Sequence, residues 1–123
     1  MPDIEGQESP EMYLKTIYLI HKEKGRCRSV DIANRLGVSK PSVSVAVRKL
    51  ENEQFLEISE DGLIELTEEG LDRAKITYDK YCFWIDFFEN LGFTPQEADE
   101  EACRFEHSMS DEAFLKMKAA LEK

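Results

Sequence analysis

A chain of 123 residues, 41% hydrophobic and 34% charged, has room for one compact domain or two small halves, and its composition is that of an ordinary soluble protein rather than a disordered or membrane one. No run reaches the roughly 18 apolar residues of a bilayer span. Cys27, Cys82 and Cys103 form no paired framework, and Met1–Gly6 lacks the basic and apolar regions of a secretory leader, so a cytoplasmic protein with reduced thiols is expected.

The net charge of -10 argues against a nucleic-acid partner until its distribution is considered. Between His21 and Leu50 stand Lys22, Lys24, Arg26, Arg28, Arg35, Lys40, Arg48 and Lys49, against the acids Glu23 and Asp31 only. That stretch carries +6 and leaves -16 on the rest. A basic island of this kind is an electrostatic footprint for phosphates.

Ser9-Pro10-Glu11 opens a helix with a capping hydroxyl, a proline at the first helical position and an acid facing the dipole. Met12, Leu14, Ile17, Tyr18 and Ile20 follow at helical spacing, and Gly25 ends the helix. Ser29 is expected to cap a second helix, Val30–Leu36, closed by Gly37. Ser39 caps a third that begins at Lys40-Pro41, with Val43, Val47 and Leu50 turned inward and Ser42, Ser44, Val45, Arg48 and Lys49 on its other faces. Two helices joined by a short turn at Gly37-Val38 form a helix-turn-helix, whose second helix opens with small polar residues suited to close approach to DNA.

Phe55–Ser59 and Leu63–Leu66 flank Glu60-Asp61-Gly62, the pattern of a β-hairpin. Three helices and a hairpin predict a winged helix over residues 1–66. From Thr67 a long helix is expected to about Asn90. Its Tyr81, Trp84, Phe87, Phe88 and Leu91 share one face. This stripe either packs against the remaining helices or forms a dimer interface, and dimerisation is favoured because a palindromic operator is met by a two-fold protein. Thr94-Pro95 starts a helix to about His107, and Ser110-Asp111-Glu112 starts a last one to about Leu121. The expected fold is mainly α, a winged helix-turn-helix followed by a helical dimerisation and metal-binding domain over 67–123.

Cys103, Glu106 and His107 lie at i, i+3 and i+4 of a predicted helix and so share a face. Thiolate, carboxylate and imidazole together suit Fe(II), Co(II), Ni(II) or Zn(II) better than Mg or Ca. A buried cysteine beside a surface Glu-His pair is the plainer alternative.

The run Asp99–Glu112, with Cys103-Arg104-Phe105-Glu106-His107 at its centre, resembles the metal-site motif of the iron-dependent repressors, the diphtheria toxin repressor family, which has manganese-sensing relatives. Glu11-Met12-Tyr13-Leu14-Lys15-Thr16-Ile17-Tyr18 is similar to that family's first helix, and the helix-turn-helix lies between in the matching register. The resemblance implies that Met12, Cys103, Glu106 and His107 are the ligands of the primary site. Methionine and cysteine at those positions resemble the iron-sensing members. It also implies DNA contacts at Ser29, Ser39, Lys40, Pro41, Ser42, Ser44 and Lys49, with Val45 replacing a polar residue.

Two departures stand out. The positions of the family's ancillary metal site hold Lys80, Trp84 and Asp99, and a Lys80–Asp99 salt bridge is expected to replace the second ion. The family's carboxy-terminal β-barrel domain is expected to be absent. The expectation is therefore a cytoplasmic homodimeric repressor of metal-homeostasis genes. Its co-repressor would be one divalent transition metal per subunit, Fe(II) before Mn(II), bridging Met12 to the distal ligands, with no organic cofactor and no membrane partner. The alternative is a metal-independent winged-helix regulator that answers to an organic ligand. No separate nucleophile, base or substrate motif suggests an enzyme.

Overall fold

A computed structural model describes residues 9–105 and 109–122. Its elements in chain order are α1 (Pro10–Lys24), α2 (Ser29–Leu36), α3 (Lys40–Asn52), β1 (Leu56–Ile58), β2 (Ile64–Leu66), α4 (Glu68–Asn90), α5 (Pro95–Phe105) and α6 (Asp111–Leu121). The chain divides into two compact units, residues 1–75 and 76–123, so the division falls inside α4 and later than the expected border at 66/67.

In the first unit the start signals act as expected with one exception. Ser9 and Ser39 each accept a backbone N–H three residues on, from Met12 and Ser42. Ser29, expected as a cap, is instead the first residue of α2. Arg28 holds the cap position, and the Asp31 carboxylate accepts its N–H at 3.0 Å. A carboxylate at the third helical position satisfies that orphan donor and faces the positive end of the dipole, which leaves the Ser29 hydroxyl without a capping task.

One apolar cluster unites these elements. Tyr13, Leu14, Ile17 and Ile20 of α1 meet Ile32 and Ala33 of α2, and Val43, Val47 and Leu50 of α3 complete the helical side. Leu56 and Ile64 close it from the hairpin, whose antiparallel register pairs Leu56 with Leu66 and Ile58 with Ile64. The first turns of α4 belong here as well. Ala74 is fully buried in this cluster, and Thr67 donates its backbone N–H to the Phe55 carbonyl at 3.1 Å.

Gly70 shows how close that docking is. A Cβ at this position would stand 1.9 Å from the Phe55 carbonyl oxygen, so only glycine lets α4 approach the strand. Gly70→Ala must push the helix from the hairpin, and an overpacking cost on the order of 3 kcal/mol is expected. Urea unfolding should show it as a lower midpoint with an unchanged slope. An unaltered midpoint would contradict this packing.

The second unit has its own core of Trp84, Phe88, Ala98, Ala102 and Phe114. Trp84 meets Phe83, Phe87 and Phe105 edge-to-face with ring centroids 5.0–5.3 Å apart. That arrangement places the positive edge of one ring against the negative face of the next. Small Ala98 and Ala102, one turn apart on α5, let that helix lie close against the rings.

Candidate nucleic-acid interface and metal centre

The inward residues of α3 fix what its other side shows. With Val43, Val47 and Leu50 buried, Lys40, Pro41, Ser44, Val45, Arg48 and Lys49 are exposed and Ser42 is half-buried. Ser39 caps the helix and its hydroxyl donates to that of Ser42 at 2.9 Å, so these two contact candidates are already held in place. Ser29 lies half-buried at the start of α2.

The two acids of the basic stretch are spent locally. Glu23 pairs with Arg35 at 2.8 Å and Asp31 with Lys24 at 2.9 Å. The Arg35 guanidinium holds the Glu23 carboxyl below its ordinary range. The Lys24 ammonium, followed by the Arg28 backbone N–H, does the same for Asp31. Both acids therefore remain ionised and occupied. Among the described residues no ion pair engages Lys40, Arg48 or Lys49, so the outer face of α3 keeps its positive charge for an external anion. Acids gather at the C-terminal end of α3 and beside it, where Glu51 of that helix joins Glu57, Glu68 and Glu69 along an open groove. On the wing Glu57 stands directly across from Glu65.

Two residues that hold this surface together escaped the sequence reading. Arg28, counted only as a charge, donates to the Asp61 carbonyl at the hairpin turn. His21 Nε2 lies 2.7 Å from the Ile64 carbonyl oxygen; a carbonyl only accepts, so that nitrogen carries the proton. Both bonds tie the wing to the helices. Neither leaves a local signal, because the partners are 33 and 43 residues away in the chain.

The candidate metal ligands are visible only in part. Met12 is half-buried on α1 and Cys103 half-buried near the end of α5, while Glu106 and His107 lie outside the described residues. Among the described residues no three His, Cys, Asp or Glu side chains gather as a metal site. A thioether and a thiol are soft donors suited to a transition ion, and neither side chain is closed into a core. Cys27 is the contrast: it is fully buried, and burial, followed by the nearby Asp31 charge, pushes its thiol up to about 12. Such a thiol is inert as a ligand.

The expected Lys80–Asp99 bridge is not formed. Lys80 is buried and its ammonium reaches Asp111 at 2.6 Å, with the Phe114 ring 5.9 Å away. Asp99 instead accepts from the Tyr81 hydroxyl. A buried ammonium needs a carboxylate, and the first residue of α6 supplies it, so that one bond fastens α4 to α6. Trp84 and Phe88, expected at a partner interface, are covered within their own chain, 1% and 7% exposed. Rings of α4 and Phe105 of α5 already pack against both. Tyr81 and Phe87 remain half-exposed, and α6 leaves Leu115, Met117 and Leu121 open to solvent.

A helix-turn-helix with a hairpin wing and an uncompensated basic helix face defines a winged-helix DNA-binding protein. Comparison with known families narrows this. The family described as iron dependent repressor, N-terminal DNA binding domain, matches residues 7–71. Its metal binding and dimerisation domain matches residues 67–123. The chain belongs to the iron-dependent repressor family.

Among its relatives, an HTH-type transcriptional regulator of Methanocaldococcus jannaschii is 35% identical over 118 residues, covering 94% of each chain. The diphtheria toxin repressor of Corynebacterium glutamicum is 33% identical over 94% of this chain and 51% of its own length. The structure of the manganese regulator SloR superposes with a TM-score of 0.83 at 31% identity, over 94% of this chain and 54% of that one. The chain thus spans about half the length of the diphtheria toxin repressor and of SloR.

Proposed function

We propose that this protein is a homodimeric, metal-dependent repressor that binds operator DNA through α3, with Fe(II) as co-repressor and Mn(II) as the second candidate. The observation that carries the reading is the outer face of α3, where Lys40, Arg48 and Lys49 are exposed and paired with no acid among the described residues, in a chain whose other half matches a metal binding and dimerisation domain. In this reading Ser29, Ser39, Lys40, Pro41, Ser42, Ser44 and Lys49 contact the duplex. The serines and the α3 N-terminus approach phosphates, and the lysines neutralise them.

Met12, Cys103, Glu106 and His107 hold one ion per subunit. A bound divalent cation supplies a charge and a fixed set of bonds that favour one conformer, so its effect on DNA binding is limited by its differential affinity for the two conformers. Lys80 and Asp111 hold the second unit together by a salt bridge, with a fixed internal cation and no second ion. The homodimer uses the apolar side chains left open on the second unit, Tyr81 and Phe87 with Leu115, Met117 and Leu121. The protein works in the cytoplasm and has no catalytic activity.

Charge reversal tests the DNA face. Lys40→Glu and Lys49→Glu are expected to weaken duplex binding at least about tenfold and to lower the slope of log K against log salt by roughly one per lost phosphate contact. Circular dichroism should remain that of the parent, because both side chains are exposed. Unchanged affinity and slope would place the DNA on another surface.

A further inference from the structure

Val45 is the anomaly on the basic face. It is 71% exposed, more than any other large apolar side chain among the described residues of the first unit, where Val30 follows at 40%. Its position on α3 is central. Pro41 and Ser42 lie one turn before it and Arg48 and Lys49 one turn after, the four nearest neighbours on a helical surface, and it points directly away from buried Val43, Val47 and Leu50. Folding gains nothing from it there. A β-branched residue is a poorer helix former than alanine, lysine or glutamine, and its methyl groups are left in water.

The flanking charges say what covers it. An apolar spot ringed by a lysine and an arginine that have no acidic partner among the described residues fits a polyanion with an apolar group at its centre. Double-stranded DNA has one such group in the major groove, the C5 methyl of thymine, and every other base-edge feature there is a donor or an acceptor. Valine has neither, so it cannot read guanine, cytosine or adenine by hydrogen bonds. It can bury a methyl. Val45 is also the sixth residue of its helix, within the N-terminal half that reaches base edges in helix-turn-helix proteins.

We propose that Val45 is a specificity-determining residue that reads a thymine methyl in each operator half-site. This deepens the repressor reading and rests on it. The arrangement divides the work on one helix face. Lys40, Arg48 and Lys49 supply affinity without sequence preference, whereas Val45 supplies preference with little affinity.

The test uses the full chain with Co(II) and a pool of random synthetic duplexes. Such duplexes carry no 5-methylcytosine, so any methyl selected is thymine's. The wild type is expected to enrich a two-fold motif with thymine at one fixed position per half-site. Replacing that thymine by deoxyuridine removes one methyl group and should weaken binding about fourfold, or about sixteenfold when both half-sites are changed. Val45→Ala, at an exposed site that any helix tolerates, leaves a single methyl carbon for the contact and should discriminate thymine from deoxyuridine less than the parent does. Val45→Asn should move the preference at that position towards adenine, whose N6 and N7 suit an amide. If wild type and Val45→Ala enrich the same motif with the same response to deoxyuridine, Val45 does not read the base, although the repressor reading survives. If the metal-loaded wild type enriches no sequence, that reading falls and this one with it.

Discussion

Trp84→Ala is expected to destabilise the second unit by about 3–5 kcal/mol, the range for emptying a buried large aromatic site. The indole is 1% exposed and touches Phe83, Phe87, Phe88 and Phe105, so its removal takes the centre from a core whose other members are one phenylalanine from α4, one from α6 and two alanines. A unit of this size has little stability to spare. Loss of that much should leave residues 76–123 largely unfolded while the winged helix persists, seen as helical signal lost ahead of the main thermal transition. Trp84 is also the sole tryptophan, so its emission in the parent reports on this unit alone, and Phe88→Ala should shift that emission to longer wavelength at a lower denaturant concentration. A Trp84→Ala protein with the parent's unfolding profile would show that the indole is not the core it forms here.

Cys103→Ala is expected to remove tight metal binding and, with it, the metal dependence of DNA binding. Losing a mere outer partner of a ligand already costs ten- to a hundredfold in affinity, so loss of a soft ligand itself should exceed about a hundredfold. The fold should survive, because Cys103 is only half-buried and alanine is the better helix former. Cys27→Ala is the matched control: a thiol held at about 12 by burial takes no part in binding, and its loss should lower stability without altering metal affinity. Equal metal affinity in the parent and Cys103→Ala would remove Cys103 from the ligand set.

Much of this architecture was legible because its signals are local. Ser9-Pro10 and Ser39-Lys40-Pro41 state where two helices begin, and Gly25 and Gly37 state where two end. The hairpin follows from alternation on either side of Asp61-Gly62. What escaped involves partners distant in the chain. Asp31 displaced Ser29 from capping by reaching back to Arg28, a competition between two side chains that both suit a helix start. Lys80 chose Asp111 over Asp99 because the carboxylate available to a buried ammonium depends on how α6 meets α4, and spacing within one helix carries no record of that. The aromatic stripe posed the same difficulty. Periodicity identified Tyr81, Trp84, Phe87 and Phe88 as one apolar face, yet whether a partner or the chain itself covers such a face depends on α6 and on α5, whose Ala98 and Ala102 leave room for the rings.

The most direct test is an anaerobic calorimetric titration of Fe(II) into the protein, alone and with the duplex enriched by selection. The account predicts one tight ion per subunit. It also predicts that DNA tightens metal binding by the same factor by which metal tightens DNA binding, since such coupling is reciprocal and typically some 5- to 150-fold. Two tight ions per subunit would overturn the role given to Lys80 and Asp111. Equal DNA affinity with and without bound metal would contradict the central claim and favour a regulator that answers to a different ligand.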